Sequence, residues 1–493
     1  MLSITSSENV TDYKVLGQEN PTANTPTVIY TVPNEKSAVL SSIAVCNQSS
    51  STIRYSLAYK PSISNLEKYH YINYNVTIPA YETIVIKGGS LASNYTIIAN
   101  IQSPNVSVSV FGSEYFTLRT FQINVTSNIS IIDSSNILLI EAGNLFAWGL
   151  NNAGQLGDGT TTQRLSPKQI TSNIWLYISP GPAYSAGITN NGNLYTWGDN
   201  STGQLGDGTT TQRNNPTQIG SNTWIQVATG GASFSDGYTL AIRSDGLLFA
   251  WGDNSYGQLG DGTTTQRLTP TQIGGSNTWS YISAGGFHTL AIRSDGLLFA
   301  WGVNTTGQIG DGTTTQRLTP TQIGSNTWLQ VSAGVQHSLG IRSDGLLFAW
   351  GLNLYGRLGD GTTTQRNNPT QIGSNTWLQV SAGDAHSLGI QSDGNLYAWG
   401  NNDNRQLGFS TQPSSSTRYP TQVDSNVWIK ISGGSSYSAG IQSDGNLYAW
   451  GYNGSGQIGD GTTTSPVVFP KKIGSNIWLQ VSAGYGHTLG IKK

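Results

Sequence analysis

The chain has 493 residues, enough for two or three domains with sizeable buried cores. Only 10% of residues are charged and the net charge is −2, which excludes the basic surface that a nucleic-acid partner requires. The single cysteine, Cys46, excludes an internal disulfide, and no apolar run approaches the length of about 18 residues that a membrane-spanning helix needs.

The opening, Met1-Leu-Ser-Ile-Thr-Ser-Ser-Glu-Asn, has neither a basic start nor a long apolar centre, so no secretory leader is expected. Residues 1–118 then carry short β-rich runs separated by turns. They are Thr27–Val32, Ala38–Cys46, Thr52–Tyr59, Glu82–Ile86, Tyr95–Ile101 and Val106–Phe111. Six such runs in about a hundred residues predict a small antiparallel β-sandwich. Residues 119–134, polar and β-branched, read as a connector. Tyr30-Thr-Val-Pro, Ile43-Ala-Val-Cys-Asn, Val76-Thr-Ile-Pro and Val110-Phe-Gly-Ser-Glu resemble small structural domains of tailed-phage virion proteins. That resemblance implies a docking domain that joins other virion proteins. The composition, rich in Ser, Thr, Asn and Gly, agrees with it.

From residue 135 to 493 the chain repeats. All 14 tryptophans lie beyond residue 147, in two alternating series with a period of 49 to 55 residues. Trp148, Trp197, Trp251, Trp301, Trp350, Trp399 and Trp450 each precede a glycine; Trp175, Trp224, Trp279, Trp328, Trp377, Trp428 and Trp478 do not. Each unit alternates short apolar runs with Gly, Asn and Asp-Gly punctuation, and Ser-Asp-Gly at 343–345 and its equivalents mark hairpins. A unit of four short strands cannot bury both faces alone, so seven units should stack as the blades of a β-propeller. The chain ends at His487-Thr-Leu-Gly-Ile491, half a blade short, and the first repeat begins with the missing half, Gly143–Gly149. The predicted fold is therefore all-β: a seven-bladed propeller closed by its two ends and preceded by the sandwich.

The recurring L-[FY]-[AT]-W-G-x-N-x-x-G-[QR]-[LI]-G and A-G-x-x-H-[ST]-L-x-I segments resemble the regulator of chromosome condensation repeat family. The resemblance implies the propeller. It implies function only broadly, because the family includes a nuclear exchange factor for a small GTPase and a secreted β-lactamase inhibitor. The exchange factor's β-wedge has no counterpart beyond an insertion of about five residues around Ala232–Asp236.

Four of the five histidines, His288, His337, His386 and His487, share one repeat slot with Tyr184, Tyr238 and Tyr437. A slot that takes Tyr fills space or makes a hydrogen bond, so no metal site is read here. Gly454-Ser-Gly456-Gln-Ile-Gly459 imitates a dinucleotide fingerprint, but no helix follows to hold a pyrophosphate. Asp158, Asp207, Asp261, Asp311, Asp360 and Asp460 read as turn caps, and Leu407-Gly-Phe409-Ser410 breaks that series in the sixth repeat. No hydrolase or P-loop motif occurs, so neither catalytic residues nor a cofactor is expected.

Against near-identical repeats, the loops after Trp-Gly and after Ala-Gly vary. They place Tyr256, Phe287, Leu354, Tyr355, Tyr452 and Tyr485 where sister repeats carry small or polar residues. These six are the candidate binding residues, expected to be exposed at one end of the propeller, because loops on a rigid scaffold carry binding. The functional expectation is a non-enzymatic phage virion surface protein, a decoration or tail-fibre-associated component. Its first domain would dock, and its propeller would meet a host receptor or glycan, with self-association on the particle and no membrane insertion. The alternative is a cytoplasmic or secreted binding propeller, a protein inhibitor or small-GTPase regulator.

Overall fold

The structure, a computed structural model, describes the strands between Lys14 and Tyr115, residues 142–409 and residues 416–493. The chain forms two compact units, Met1–Leu139 and Ile140–Lys493. The connector expected at 119–134 lies outside the described residues.

In the first unit the strands are β1 (Lys14–Glu19), β2 (Thr27–Thr31), β3 (Ser37–Asn47), β4 (Ile53–Pro61), β5 (Tyr71–Ile78), β6 (Thr83–Lys87), β7 (Ser90–Leu91), β8 (Tyr95–Ile101) and β9 (Val106–Tyr115). They pair in two antiparallel sheets, β1-β9-β3-β6 with β7 also on β3, and β2-β8-β4-β5. The six expected runs are all strands; β1, β5 and β7 come in addition. The stacking of these sheets into the expected sandwich lies outside the described side chains.

The second unit is all-β and propeller-like. Seven four-stranded antiparallel ladders, here blades 1 to 7, follow the order of the Trp-Gly motifs. Blade 1 is made of Trp478–Ala483, His487–Lys492, Gly143–Gly149 and the first half of Arg164–Pro180. The second half of that long strand opens blade 2. Most blades hand over in this way. Blades 3 and 4 are instead joined through Gly274-Gly275, both at positive φ, where one extra glycine interrupts the strand. The terminal pairing expected from the sequence is present, with Leu145 opposite Ile491 and Gly149 opposite His487.

Each blade holds one tryptophan from each series, the two ring planes steeply inclined to one another, as with Trp328 and Trp350 at 59° and 5.9 Å between ring centroids. The pair packs against Leu, Ile and Ala of the preceding blade; Trp175 and Trp197 of blade 2 lie on Leu145, Ala147 and Ile491 of blade 1. Trp148 and Trp478 of blade 1 lie in the same way on Ile441 and Leu447 of blade 7. The core is thus a set of layers between blades, which is why no single repeat could fold alone. The first strand of each blade is the inner one. Successive inner strands touch from blade 2 round to blade 1 and back to blade 2.

The Trp-Gly tryptophan also explains the second glycine of the G-[QR]-[LI]-G turn. Trp350 Nε1 donates to the Gln308 carbonyl of the blade before it at 2.9 Å. A Cβ on Gly310 would lie 2.8 Å from that same nitrogen, and Gly310 sits at φ +87. Only glycine combines that approach with that backbone.

The histidine–tyrosine slot ties the blades together. His288 Nε2 meets Ser338 Oγ of the next blade, His337 meets Ser387, His386 meets Ser438 and His487 meets Ser185, all at 2.8–3.0 Å. The tyrosine hydroxyls reach further, to the next slot's carbonyl: Tyr184 to Tyr238, Tyr238 to His288 and Tyr437 to His487. These seven links form a circuit that returns to its start. The residue met next follows the slot without exception. Histidine faces Ser, whereas Tyr184, Tyr238 and Tyr437 lie within 3.3 Å of the hydroxyls of Thr239, Thr289 and Thr488.

Each of these serines donates its one proton to a loop carbonyl, as Ser387 does to Arg357 at 2.8 Å. The serine must therefore accept from the imidazole, which assigns the neutral Nε2–H tautomer to the histidines. This pairing leads to a prediction. His337→Tyr should fold, but should lose up to about 1 kcal/mol that Ser387→Thr restores, since contacting residues couple by about 0.5–3 kcal/mol. A thermal-denaturation double-mutant cycle measures it, and purely additive effects would show that the Tyr–Thr pairing carries no energy.

Candidate functional site

In each blade two loops share one end. The amide after Trp-Gly donates to the loop between the first two strands: Leu150 to Gly486 O, Asp253 to Gly237 O, Val303 to Phe287 O, Leu352 to Gln336 O and Tyr452 to Ser436 O, all at 2.8–2.9 Å. All six candidate residues lie on these loops and hence at the same end of the propeller. Tyr256, Leu354, Tyr355, Tyr452 and Tyr485 are exposed, Leu354 the most at 53%. Phe287 departs from the expectation of exposure: it is half-buried, its ring edge-on to Tyr256 at 5.1 Å. Exposed apolar groups also occur elsewhere, at Ile174, Val427 and Ile477 and on the outer strands at Tyr419 and Phe469.

The sequence reading missed Phe234. It lies in the insertion around Ala232–Asp236, which the comparison of repeats did reveal. The Asp236 carboxylate folds that loop by accepting the amides of Ala232 at 3.0 Å and Ser233 at 2.8 Å. Phe234 is left 41% exposed and edge-on to Tyr485 at 5.6 Å, although Tyr485 belongs to blade 1 and Phe234 to blade 3. The inserted loop therefore reaches past blade 2, and a Cβ on its Gly231 would meet Pro182 of that blade at 3.0 Å.

The Leu354–Tyr355 loop owes its shape to one substitution. In the other six blades a glutamine Oε1 accepts the amide two residues before it, as Gln258 does from Tyr256 at 2.9 Å. Blade 5 has Arg357 instead, which has no acceptor. Tyr355 takes φ 69, ψ 3 within a single 3-10 turn, a conformation that costs a non-glycine residue about 1 kcal/mol or more. Arg357 is buried and donates to Leu354 O and, across the blade boundary, to Asp384 O, both at 3.0 Å. Burial pushes its guanidinium down to about 10. Burial likewise raises the Asp384 carboxyl, although Ser435 donates a hydroxyl to it at 2.6 Å.

The aspartate series serves its own loops, as expected of turn caps. Asp158 Oδ1 accepts the Thr160 amide at 3.1 Å and hydroxyl at 2.6 Å, and Oδ2 accepts Arg164 Nε at 2.7 Å. Burial by itself would raise this carboxyl, but Thr160, Lys168 and Arg164 outweigh it and hold it well below the usual carboxylate range. The arginine partner recurs at Arg213, Arg267, Arg317 and Arg366. Asn151 pins the same loop, accepting the Leu156 amide and donating to Thr160 O and Thr162 O. Among the described residues no group of three or more His, Cys, Asp or Glu is placed to hold a metal ion.

Rigid ladders, layered tryptophans and variable loops at one end define a β-propeller built from repeats of the regulator of chromosome condensation (RCC1) type. Residues 231–490 match the RCC1-like domain, and residues 142–186 and 191–235 match the RCC1 repeat. The chain belongs to the RCC1-like domain family. It is similar to Prp20p of Saccharomyces cerevisiae, whose structure superposes with a TM-score of 0.65 at 20% identity over 72% of this chain and 92% of that one. Human WBSCR16 gives 0.64 at 20% identity over 72% of this chain and 99% of that one. At this identity the likeness shows the fold alone. In sequence, the ultraviolet-B receptor UVR8 of Arabidopsis thaliana is 32% identical over 138 residues, which is 27% of this chain and 30% of UVR8. The human E3 ubiquitin-protein ligase HERC2 is 28% identical over 144 residues, 28% of this chain and 3% of HERC2. The chain thus spans a small part of the curated relatives it matches.

Proposed function

We propose that this chain is a non-enzymatic, protein-binding propeller, closed as seven blades, that receives its partner on the loop end. The observation that carries the proposal is the Phe234–Tyr485 contact. An inserted loop holds an aromatic ring in water, across two blade boundaries, against a second exposed ring. Exposed aromatics on a rigid base are the usual centre of a protein interface, where truncating one costs about 2 kcal/mol or more. Tyr355 adds a strained, displayed side chain at the same end. The fold relative Prp20p, described by its binding to Gsp1p and histones, supports a protein partner. This is the alternative of the sequence reading, a binding propeller of the inhibitor or regulator kind. The virion role has no counterpart among the relatives named above, and the docking role expected of residues 1–118 is kept as part of the proposal.

A photo-crosslinking residue at Tyr355 or Tyr485 should capture the partner, and one at Asp295, on a hairpin at the opposite end, should not. Combined Phe234→Ala and Tyr485→Ala changes should weaken binding about 30-fold or more in folded protein. Equal capture from Asp295 would move the interface to the other end.

A further inference from the structure

The inner strands carry one polar position, two residues past the second-series tryptophan, occupied by Tyr177, Gln226, Tyr281, Gln330, Gln379, Lys430 and Gln480. Trp428 and Ile431 enter the core between blades 6 and 7, so alternation turns Lys430 to the other face of its strand, the side of blade 1. Three of the glutamines clamp neighbouring inner strands by both amide atoms. Gln379, for example, donates to Ile431 O at 3.1 Å and accepts from its amide at 3.2 Å. Gln226 and Gln330 do the same to Ile282 and Val380.

The circuit fails on one side. Lys430 of blade 7 is the only charged residue in the set, and no hydrogen bond or ion pair reaches its ammonium among the described residues. Gln480 of blade 1 donates to Leu176 O at 3.4 Å, but its Oε1 is buried without a partner. Tyr177 of blade 2 accepts from Gln226 at 3.3 Å, and its own proton meets no acceptor among the described residues, as is also true of Tyr281 in blade 4. The three sit at one register position on consecutive inner strands, which are held side by side by the Ala483 amide on Ser432 Oγ at 2.9 Å and by Gln480 itself. A cation, a hydroxyl donor and an amide acceptor without partners therefore share one register of three consecutive inner strands, and partial burial holds the ammonium below the usual lysine range with no carboxylate to offset it.

We propose that Lys430, Tyr177 and Gln480 form an oxyanion site inside the propeller that takes a hydrogen phosphate group. The ammonium and the phenol would donate to its oxygens, and Gln480 Oε1 would accept its proton. A carboxylate satisfies the two donors but not the glutamine, and a fully ionised sulfate likewise, so both bind less tightly. A charge partly withdrawn from water is costly unless paired, which is the drive for the anion to enter.

The test titrates the full chain with inorganic phosphate at constant ionic strength, with acetate and sulfate as separate arms, following the thermal midpoint and the phosphorus resonance. Phosphate should raise the midpoint saturably and broaden the resonance, with acetate and sulfate weaker. Lys430→Gln installs the residue of four sister blades and so should fold, yet it should weaken phosphate about tenfold or more. Tyr177→Phe should weaken it less. A flat response of the native chain, or an equal response of Lys430→Gln, overturns the site; acetate binding as tightly as phosphate overturns the role of Gln480.

Discussion

Acidification from pH 7 to pH 4 should unfold the propeller well before its carboxylates are neutralised. The cause is the histidine circuit. Burial pulls His288, His386 and His487 down to about 3 and His337 well below its usual value. A proton added to the Nε2–H tautomer must sit on Nδ1, and in all four rings that atom is buried with no partner. The unfolded chain binds these protons near pH 6.5 and the folded chain does not, so stability is fully present above about 6.5 and falls with pH towards 3. The slope is about 1.4 kcal/mol per pH unit for each histidine, or about 5 to 6 for four, against a typical total of about 5–15 kcal/mol. The aspartates act in a lower window. Their carboxyls are depressed in the fold, so their contribution is lost only as pH falls below the ordinary carboxylate value. Tryptophan fluorescence during thermal melts at stepped pH reads the effect, and the double variant His337→Tyr with Ser387→Thr should lower the slope by about a quarter. A midpoint that stays level from pH 7 to 4.5 would show that the histidines take up protons without unfolding.

Removing residues 478–493 should abolish cooperative folding of the whole propeller rather than cost one blade. The deletion takes two of the four strands of blade 1, including the inner one, and leaves Gly143–Gly149 as a bare edge. It strips Trp478, Val481, Leu489 and Ile491 from two inter-blade cores, at about 1.5–3 kcal/mol for each large side chain. It also opens the circuit at two places, where Tyr437 meets His487 and where His487 meets Ser185. The sum reaches the whole stability of a typical domain. A truncated protein that melts in one transition at the native midpoint would show that the blades do not depend on closure.

Much of this was legible in the chain because repeats act as their own controls. The two tryptophan series gave the blade count, the Asp-Gly pairs gave the hairpins, as at Gly345 with φ +83, and the mirrored half-blades at the ends gave the pairing of Gly149 with His487. The Asp-Gly-Thr runs were readable as turn caps because such a cap reaches only two residues along the chain. The exposed loop residues were readable as departures from a near-constant background, and five of the six stand in solvent.

What the sequence could not decide is whatever depends on which blade faces which. That a histidine needs a serine and a tyrosine a threonine is a relation across about fifty residues, visible only once neighbouring inner loops touch. Phe234 could be noticed as part of an insertion, but its contact with Tyr485 joins loops of blades 3 and 1 that lie far apart in the chain. Phe287 reads as exposed from its loop and is half-covered because Tyr256 of the preceding blade lies against it. Lys430 looks like any lysine in a strand until the inner strands are set side by side and the glutamine circuit is seen to stop there. Composition, period and turn chemistry are local and one-dimensional, so they determined the blades; burial and partner choice are properties of how blades pack on one another, so only the tertiary structure decided them.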